Sequence, residues 1–537
     1  RVSPVPAADA ETMTWTIKAE AEARELGIWP LDEHNMKLLD EVHPHGWEDP
    51  APYPLYDLVV IGAGAGGLVS SKQAARRGAR SAMISEHLAG GDCLNVGCVP
   101  SKALIRSARA LREARRSAEF GVMMGAAPTI DFGKVMERLR RLRAQIAPED
   151  SHQGTMASGA HVFQGRGRFV SEHEIEVNGQ VLHFRKAVVA TGGRATLPPI
   201  AGIEQVPFLT NATLYNLTEL PTRMVVIGAG AVGLEMAQVF ATFGSEVTVL
   251  VRASRLLPRD DADASVALQA ALEKDGVRFV FGSTATAAQV LPKPERGPKS
   301  AKLGSSASPT IALEVKVGGG EQRVFECEAL LLATGRTPNI EDLGLDLAGI
   351  EHDKGGVKVD DYLATSNPDV FAVGDCVSGC ARLTHLAGEM AKVVVQNALF
   401  SDSWAFSNMV VPACTYTEPE WAQVGISLPG AEAAGRKPDV YMASLEHNDR
   451  AILDGEAGDG GFVKVLCKQG TDTIIGATVV AARAGEIVNE LTLAMQNGVG
   501  LGAVARVVHP YPTTAEAVMG CGLGYIRAHW KRLPPSE

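Results

Sequence analysis

Residues 56–67 read Tyr-Asp-Leu-Val-Val-Ile-Gly-Ala-Gly-Ala-Gly-Gly and run directly into Leu68-Val-Ser-Ser-Lys-Gln-Ala-Ala-Arg-Arg77. The unbroken apolar run at 56–61 is that of a strand buried on both faces of a parallel sheet, and the segment from Leu68 has helix-forming composition. Between them lies a GxGxxG turn. Gly62 allows the tight turn, Gly64 lets the backbone approach a pyrophosphate, and Gly67 lets the helix pack closely on the strand, with the phosphates at the helix N-terminus. Glycines alone would say little, but a strand, this turn and a helix in sequence predict a dinucleotide site. The same unit recurs downstream. Met224-Val-Val-Ile227 is the strand, Gly228, Gly230 and Gly233 mark the turn, and Leu234 to Phe243 is the helix. Two such units predict two dinucleotide sites in one chain.

Between the units stands Gly90-Gly-Asp-Cys-Leu-Asn-Val-Gly-Cys-Val-Pro-Ser-Lys102. Cys93 and Cys98 read as a redox pair. A helical start here would put both thiols on one side of the first turns, where the amide dipole favours a thiolate, and would carry Lys102 one turn beyond Cys98. An arbitrary cysteine pair would more often be two small buried residues of an apolar helix. The accompanying dinucleotide motifs favour the redox reading.

This segment resembles the active site of the flavin-dependent pyridine nucleotide-disulfide oxidoreductases, the family of glutathione reductase, dihydrolipoamide dehydrogenase and mercuric reductase, and the resemblance covers roughly residues 55–525. It implies an α/β fold with two doubly wound Rossmann-like dinucleotide-binding domains and a C-terminal α+β dimerisation domain. The expected organisation is an N-terminal extension at 1–54, an FAD-binding domain at 55–205 completed by 336–408, an NAD(P)H-binding domain at 206–335 and a dimerisation domain at 409–537. Cys93 would exchange with the substrate, Cys98 would make the charge-transfer contact with the flavin, and Lys102 would lie near flavin N5. Glu235, directly after the second fingerprint, would pair with Lys102; otherwise it is an ordinary helix-surface glutamate.

FAD is expected at Gly62, Gly64 and Gly67. Ala187-Val-Val-Ala-Thr-Gly192-Gly resembles the family's return across the FAD domain, and Thr365 to Gly374-Asp375 its second FAD signature, with the aspartate on the ribityl or phosphate region. The acid that normally binds the adenine-side ribose is replaced by Ser85 and followed by Glu86, so either Glu86 reaches the ribose or Ser85 makes a weaker contact. In the second unit, Val251 stands where NADH-preferring members carry an acid. Arg252, Arg255 and Arg259 follow, which favours a 2′-phosphate and hence NADPH, with NADH the alternative.

The tail bears on the acceptor. His509-Pro-Tyr511-Pro-Thr-Thr-Ala-Glu516 aligns on Pro512-Thr513 and Glu516, which puts Tyr511 where disulfide reductases place a histidine; His509 would reach the dyad only through a bulge. Imidazole can shuttle a proton to a departing thiolate, whereas an unperturbed phenol mainly donates a hydrogen bond. A tyrosine here resembles mercuric reductase, but the vicinal cysteine pair that receives the metal in that enzyme is absent. The expected function is therefore electron transfer from NADPH through flavin and Cys93–Cys98 to a metal ion, disulfide or quinone acceptor. The alternative is a flavoprotein kept as a structural or assembly subunit.

Composition sets outer limits. The 537 residues exceed one ordinary core, and 46% hydrophobic with 21% charged residues suits a globular chain without a membrane-spanning run. The net charge of −11 disfavours nucleic acid as a partner. Eight scattered cysteines are no disulfide scaffold and suit a reducing compartment, and Cys376 with Cys380 lacks the second pair that a metal site needs. The start at Arg1 suggests a removed leader and an organelle matrix or stroma, or otherwise the cytoplasm. Arginines at 106–116 and 138–143 read as solvated helix faces. Thr12 to Leu26 has helical composition, and 1–54 is expected to strap across the body, burying Trp15, Trp29 and Trp47, or to serve as an arm for a protein partner. Residues 291–309 read as a flexible hairpin insertion.

Overall fold

The computed structural model describes residues 20–292, 309–401 and 403–530. Tyr56–Ile61 is a buried strand at the centre of the first sheet. It pairs in parallel with Ser81–Ser85 on one side and Gln180–Val189 on the other; His161–Gln164 and Val370–Ala372 extend the parallel layer. That last strand arrives after the chain has built a second nucleotide-binding region and returned. Short antiparallel strands at Arg168–Ser171 and Glu174–Val177 continue the first sheet.

The second region repeats the plan. Arg223–Ile227 lies between Glu246–Val251 and Ala329–Leu332, with Arg278–Phe281 and Phe208–Leu209 outermost, all parallel. The helix Ala231–Phe243 crosses over from the central strand, as Ala65–Arg76 does in the first region. A three-stranded antiparallel layer, Thr284–Val290, Ile311–Val317 and Glu321–Cys327, sits beside it. The first two of these strands flank the predicted insertion and pair as a hairpin, while most of the insertion lies outside the described residues.

The C-terminal region is a five-stranded antiparallel sheet in the order Pro412–Thr415, Glu420–Gly425, Ile474–Ala481, Phe462–Cys467, Asp439–Ser444. Helices Ala484–Gln496 and Glu516–Ala528 accompany it. Among the described residues, no helix is long and apolar enough to cross a membrane.

Two expectations are corrected. The arginine clusters are not solvated faces throughout. Arg109 and Arg112 both bind Glu418, Arg112 also lies 3.3 Å from Asp275, and Arg143 is fully buried. Helical periodicity marks which positions share a face, but it carries no sign of acids some 300 positions away. The helix at the cysteines is also not continuous. Gly91–Val96 carries Cys93, and Cys98 opens a separate helix, Cys98–Arg116, after a break at Gly97. A Cβ at 97 would stand 2.7 Å from the Asp92 carbonyl oxygen, so the break is built around glycine.

Of the N-terminal extension, residues 1–19, and with them Trp15, lie outside the described residues. From residue 20 the chain packs on the first region. Ile28, Leu38 and Val42 share a core cluster with Ala63, Leu68, Leu94 and Ala147. Trp47 joins this cluster and donates from Nε1 to the Val162 carbonyl, while Trp29 lies under the Arg24 guanidinium.

Candidate active site and nucleotide cavities

A cavity of about 800 Å³ opens at the carboxyl end of the first sheet and is lined by Gly62, Gly64, Glu86, Cys93, Gly192, Gly374 and Asp375, among others. Its shape follows from missing side chains. A Cβ on Gly67 would lie 1.9 Å from the Gly62 carbonyl oxygen, and one on Gly62 would lie 2.3 Å from that of Ala190. At Gly64, by contrast, the nearest atom to an added Cβ is Gly91 Cα at 3.9 Å. A side chain at 64 would therefore project into open space ahead of the helix N-terminus, where a pyrophosphate needs bare backbone amides. The second unit repeats this arrangement: Gly228 and Gly233 have no room for a side chain, and Gly230 faces open space. Both cradles fit a dinucleotide.

Glu86 reaches the cavity wall, but its carboxylate is 2.9 Å from Arg166, and the buried Ser85 donates its hydroxyl to the His87 carbonyl. Asp375 accepts from Arg336 Nε at 2.7 Å, and the same guanidinium reaches Asp92 and the Gly193 carbonyl. Sequence reasoning passed over Arg336. Its position in the Ala-Thr-Gly-Arg segment before the return to the first sheet was the available signal.

Cys93 and Cys98 are both free thiols whose titrations are coupled, and Cys98 Sγ lies 3.3 Å from the Thr384 hydroxyl. The pair divides the proton unequally. The Cys93 hydrogen bond, the Thr384 hydroxyl and the Lys102 charge together hold Cys98 well below the usual thiol range, against the penalty of burial. Cys93 is raised, first because it gives the hydrogen bond and then because it is buried. The place of Cys98 at the first position of its helix adds the amide dipole in the same direction, toward a Cys98 thiolate.

One turn along the same helix, Lys102 Nζ donates to both Glu235 oxygens at 3.0 and 3.2 Å. Glu235 is nearly fully buried and also accepts from the Tyr416 backbone amide at 2.9 Å; the Tyr416 ring lies 4.3 Å beneath Lys102 Nζ. Tyr416 was not anticipated, because it lies in the third region and a lone tyrosine in a loop carries no motif.

At the end of Glu246–Val251, Val251 is buried and Arg252 is exposed. Arg255 is otherwise engaged: its guanidinium donates to the carbonyls of Leu256, Leu257, Pro258 and Asp260 and so ties the following loop. Of the three arginines expected near a 2′-phosphate, this one serves the backbone.

The tail residues do not line the cavity of their own chain. Tyr511 is 72% exposed and donates to Asp449 at 2.7 Å, which holds its phenol above the ordinary range. Glu516 accepts from the Thr513 amide. His509 is buried against Glu490 at 3.0 Å and lies within its own chain's ion pair.

The family model described as pyridine nucleotide-disulphide oxidoreductase matches residues 56–391, and the model for its dimerisation domain matches 411–520. A mercuric reductase of Bacillus cereus is 32% identical over 464 residues, covering 86% of this chain and 70% of that protein. A dihydrolipoyl dehydrogenase of Bacillus subtilis is 30% identical over 477 residues, covering 86% of this chain and 96% of that one. Among solved structures, the HOCl-induced flavoprotein disulfide reductase RclA from Escherichia coli superposes with a TM-score of 0.73 at 25% identity, over 86% of this chain and 98% of that one. With this coverage and the paired cradles around a dithiol, the chain belongs to the pyridine nucleotide-disulphide oxidoreductase family, as an FAD-dependent NAD(P)H oxidoreductase with a dimerisation domain.

Proposed function

We propose that this enzyme draws electrons from NADPH and delivers them through Cys93 and Cys98 to a soft metal ion or another acceptor that needs no protonated leaving thiolate. The observation that carries the reading is a pair of free thiols at the nucleotide cavity: Cys93 lines it, and Cys98 opens the helix that carries Lys102 one turn on. Their coupling lowers the Cys98 pKa and raises that of Cys93. Gly62, Gly64, Gly192, Gly374 and Asp375 would hold FAD, which would supply two-electron transfer between the nicotinamide and the cysteine pair. The chain's own residues set the conditions. Lys102 presents a cation fixed by Glu235, and Thr384 stabilises the Cys98 thiolate. Breaking a Cys93–Cys98 disulfide takes up one hydride equivalent, two electrons and one proton, both supplied by NADPH, and leaves one thiol and one thiolate.

The choice of acceptor rests on the tail. In the family arrangement each site is completed by the partner's tail in a homodimer, and the exposed Tyr511 with Glu516 suits that role. A phenol held above its ordinary range donates a hydrogen bond but does not relay protons near neutrality. His509, engaged by Glu490, does not replace it. NADPH is favoured by the exposed Arg252 beside an apolar Val251. The test is steady-state NADPH consumption with mono- and bis-thiol complexes of Hg(II), oxidised glutathione, lipoamide and a quinone in parallel. The metal complexes should turn over at least tenfold faster than either disulfide. Faster turnover of a disulfide would overturn this choice of acceptor.

A further inference from the structure

The segment 20–49 precedes the family match, yet it reaches the redox turn through one fully buried side chain. Arg143, on the helix Phe132–Asp150, is completely shielded from solvent. One terminal nitrogen donates to the Asn95 carbonyl at 2.7 Å and the other to Asn35 Oδ1 at 2.9 Å, and Nε has no partner. Asn35, itself fully buried, lies on the extension's helix Glu33–Val42. Its amide nitrogen donates to the Pro30 carbonyl at 2.7 Å, which fixes the orientation that offers Oδ1 to Arg143.

Asn95 lies between the two cysteines, in the last turn of Gly91–Val96. Carbonyls in the final turn of a helix have no partner within it and need an outside donor. Arg143 supplies that donor from beneath. The Asn95 side chain ties the other end, donating to the Ala89 and Gly91 carbonyls at 2.9 Å each. The nearby Asp32 is engaged elsewhere, one oxygen accepting from the Asn35 backbone N–H and the other from Arg140 Nε. A buried guanidinium costs several kcal/mol to desolvate and is ordinarily matched by a carboxylate. Here its two bonds go to an amide oxygen and to a carbonyl of the redox turn.

We propose that the N-terminal extension is a positioning element of the redox centre: Asn35 orients Arg143, and Arg143 caps the Asn95 carbonyl, so that docking of the extension sets the geometry of the Cys93–Cys98 turn. The inference rests on the redox role of that pair. Disulfide geometry is narrow, and a turn held at fixed spacing biases the balance between dithiol and disulfide. Asn35 and Arg143 touch neither thiol; they act through Asn95.

The test uses the full-length holoprotein with Asn35→Leu, which keeps the branching and removes the acceptor, and Asn35→Asp, which keeps an acceptor for Arg143. The dithiol–disulfide equilibrium is measured against thiol–disulfide redox buffers by counting alkylated cysteines. Asn35→Leu should shift the equilibrium constant about tenfold, which corresponds to roughly 30 mV, and Asn35→Asp, which keeps the acceptor but loses the bond to Pro30, should shift it clearly less. A variant that merely loosens packing would lower the melting temperature and leave the constant unchanged, and that result overturns the proposal. Asn35→Ala serves in the same comparison if Asn35→Leu yields no folded protein. A wild-type enzyme whose two cysteines never interconvert with a disulfide would overturn the redox reading first, and the proposal with it.

Discussion

Lys102 and Glu235 meet at 3.0 Å although they stand on helices of two different nucleotide-binding regions, 133 residues apart, and a third region locks the contact through the Tyr416 amide and ring. The carboxylate is almost fully buried, so its charge is balanced only by these partners. Glu235→Gln keeps the shape and removes the charge. Stopped-flow reduction by NADPH should slow about 10- to 100-fold, roughly 1.4–2.7 kcal/mol in the barrier, with the fold retained by circular dichroism.

The pH dependence of the thiols follows from their coupling. A hydrogen bond to a charged form favours that form, so the donor Cys93 holds the Cys98 pKa down. In the reduced enzyme, one thiol should become reactive to iodoacetamide well below the pH range of a free thiol, and the other only above it. Cys93→Ala removes the donor, and Thr384→Val removes a second one. Each should move the Cys98 alkylation midpoint upward, Cys93→Ala by the larger step.

The two glycines of the first fingerprint should fail differently. Gly67→Ala drives a Cβ to 1.9 Å from a backbone oxygen and should cost several kcal/mol of stability, because backbone must move. Gly64→Ala meets only Gly91 Cα at an unstrained 3.9 Å and should leave the apo melting temperature within a few degrees while weakening FAD retention at least tenfold. Fluorescence of released flavin after dilution measures the second effect.

Reversing one charge should test the nicotinamide site. Arg252 is exposed and has no partner among the described residues, so Arg252→Glu should lower kcat/KM for NADPH about 10- to 100-fold and leave that for NADH within about threefold. Equal losses for both would show that Arg252 does not read the 2′-phosphate.

At the tail, Tyr511→Phe should leave reduction by NADPH unchanged and slow turnover with acceptor. His509→Gln should instead cost stability, since it leaves the Glu490 carboxylate without its imidazole. The two substitutions separate a role in acceptor turnover from a role in holding the chain together.

What could be read from the sequence depended on whether the demand was local. A buried parallel strand followed by Gly62, Gly64 and Gly67 imposes its requirements within a dozen residues, and the strand and helix stand on either side of that turn. Glu235 could be assigned because it adjoins the second fingerprint. Arg143 could not be: helical spacing places it on a face but says nothing about Asn35, 108 residues earlier, or about the carbonyl it caps. Arg255 misled for a related reason, since side-chain bonds to neighbouring carbonyls leave no compositional trace. The break at Gly97 was hidden by residues on both sides that suit one continuous helix.

The central claim is that Cys93 and Cys98 form a redox pair driven by reduced nicotinamide. The most direct measurement is an anaerobic titration of the air-oxidised holoenzyme with NADPH, counting free thiols under denaturing conditions before and after. Two additional thiols per chain in the wild type, and none in Cys98→Ala, is the expected result. A flavin that is fully reduced with no new thiols would contradict the account.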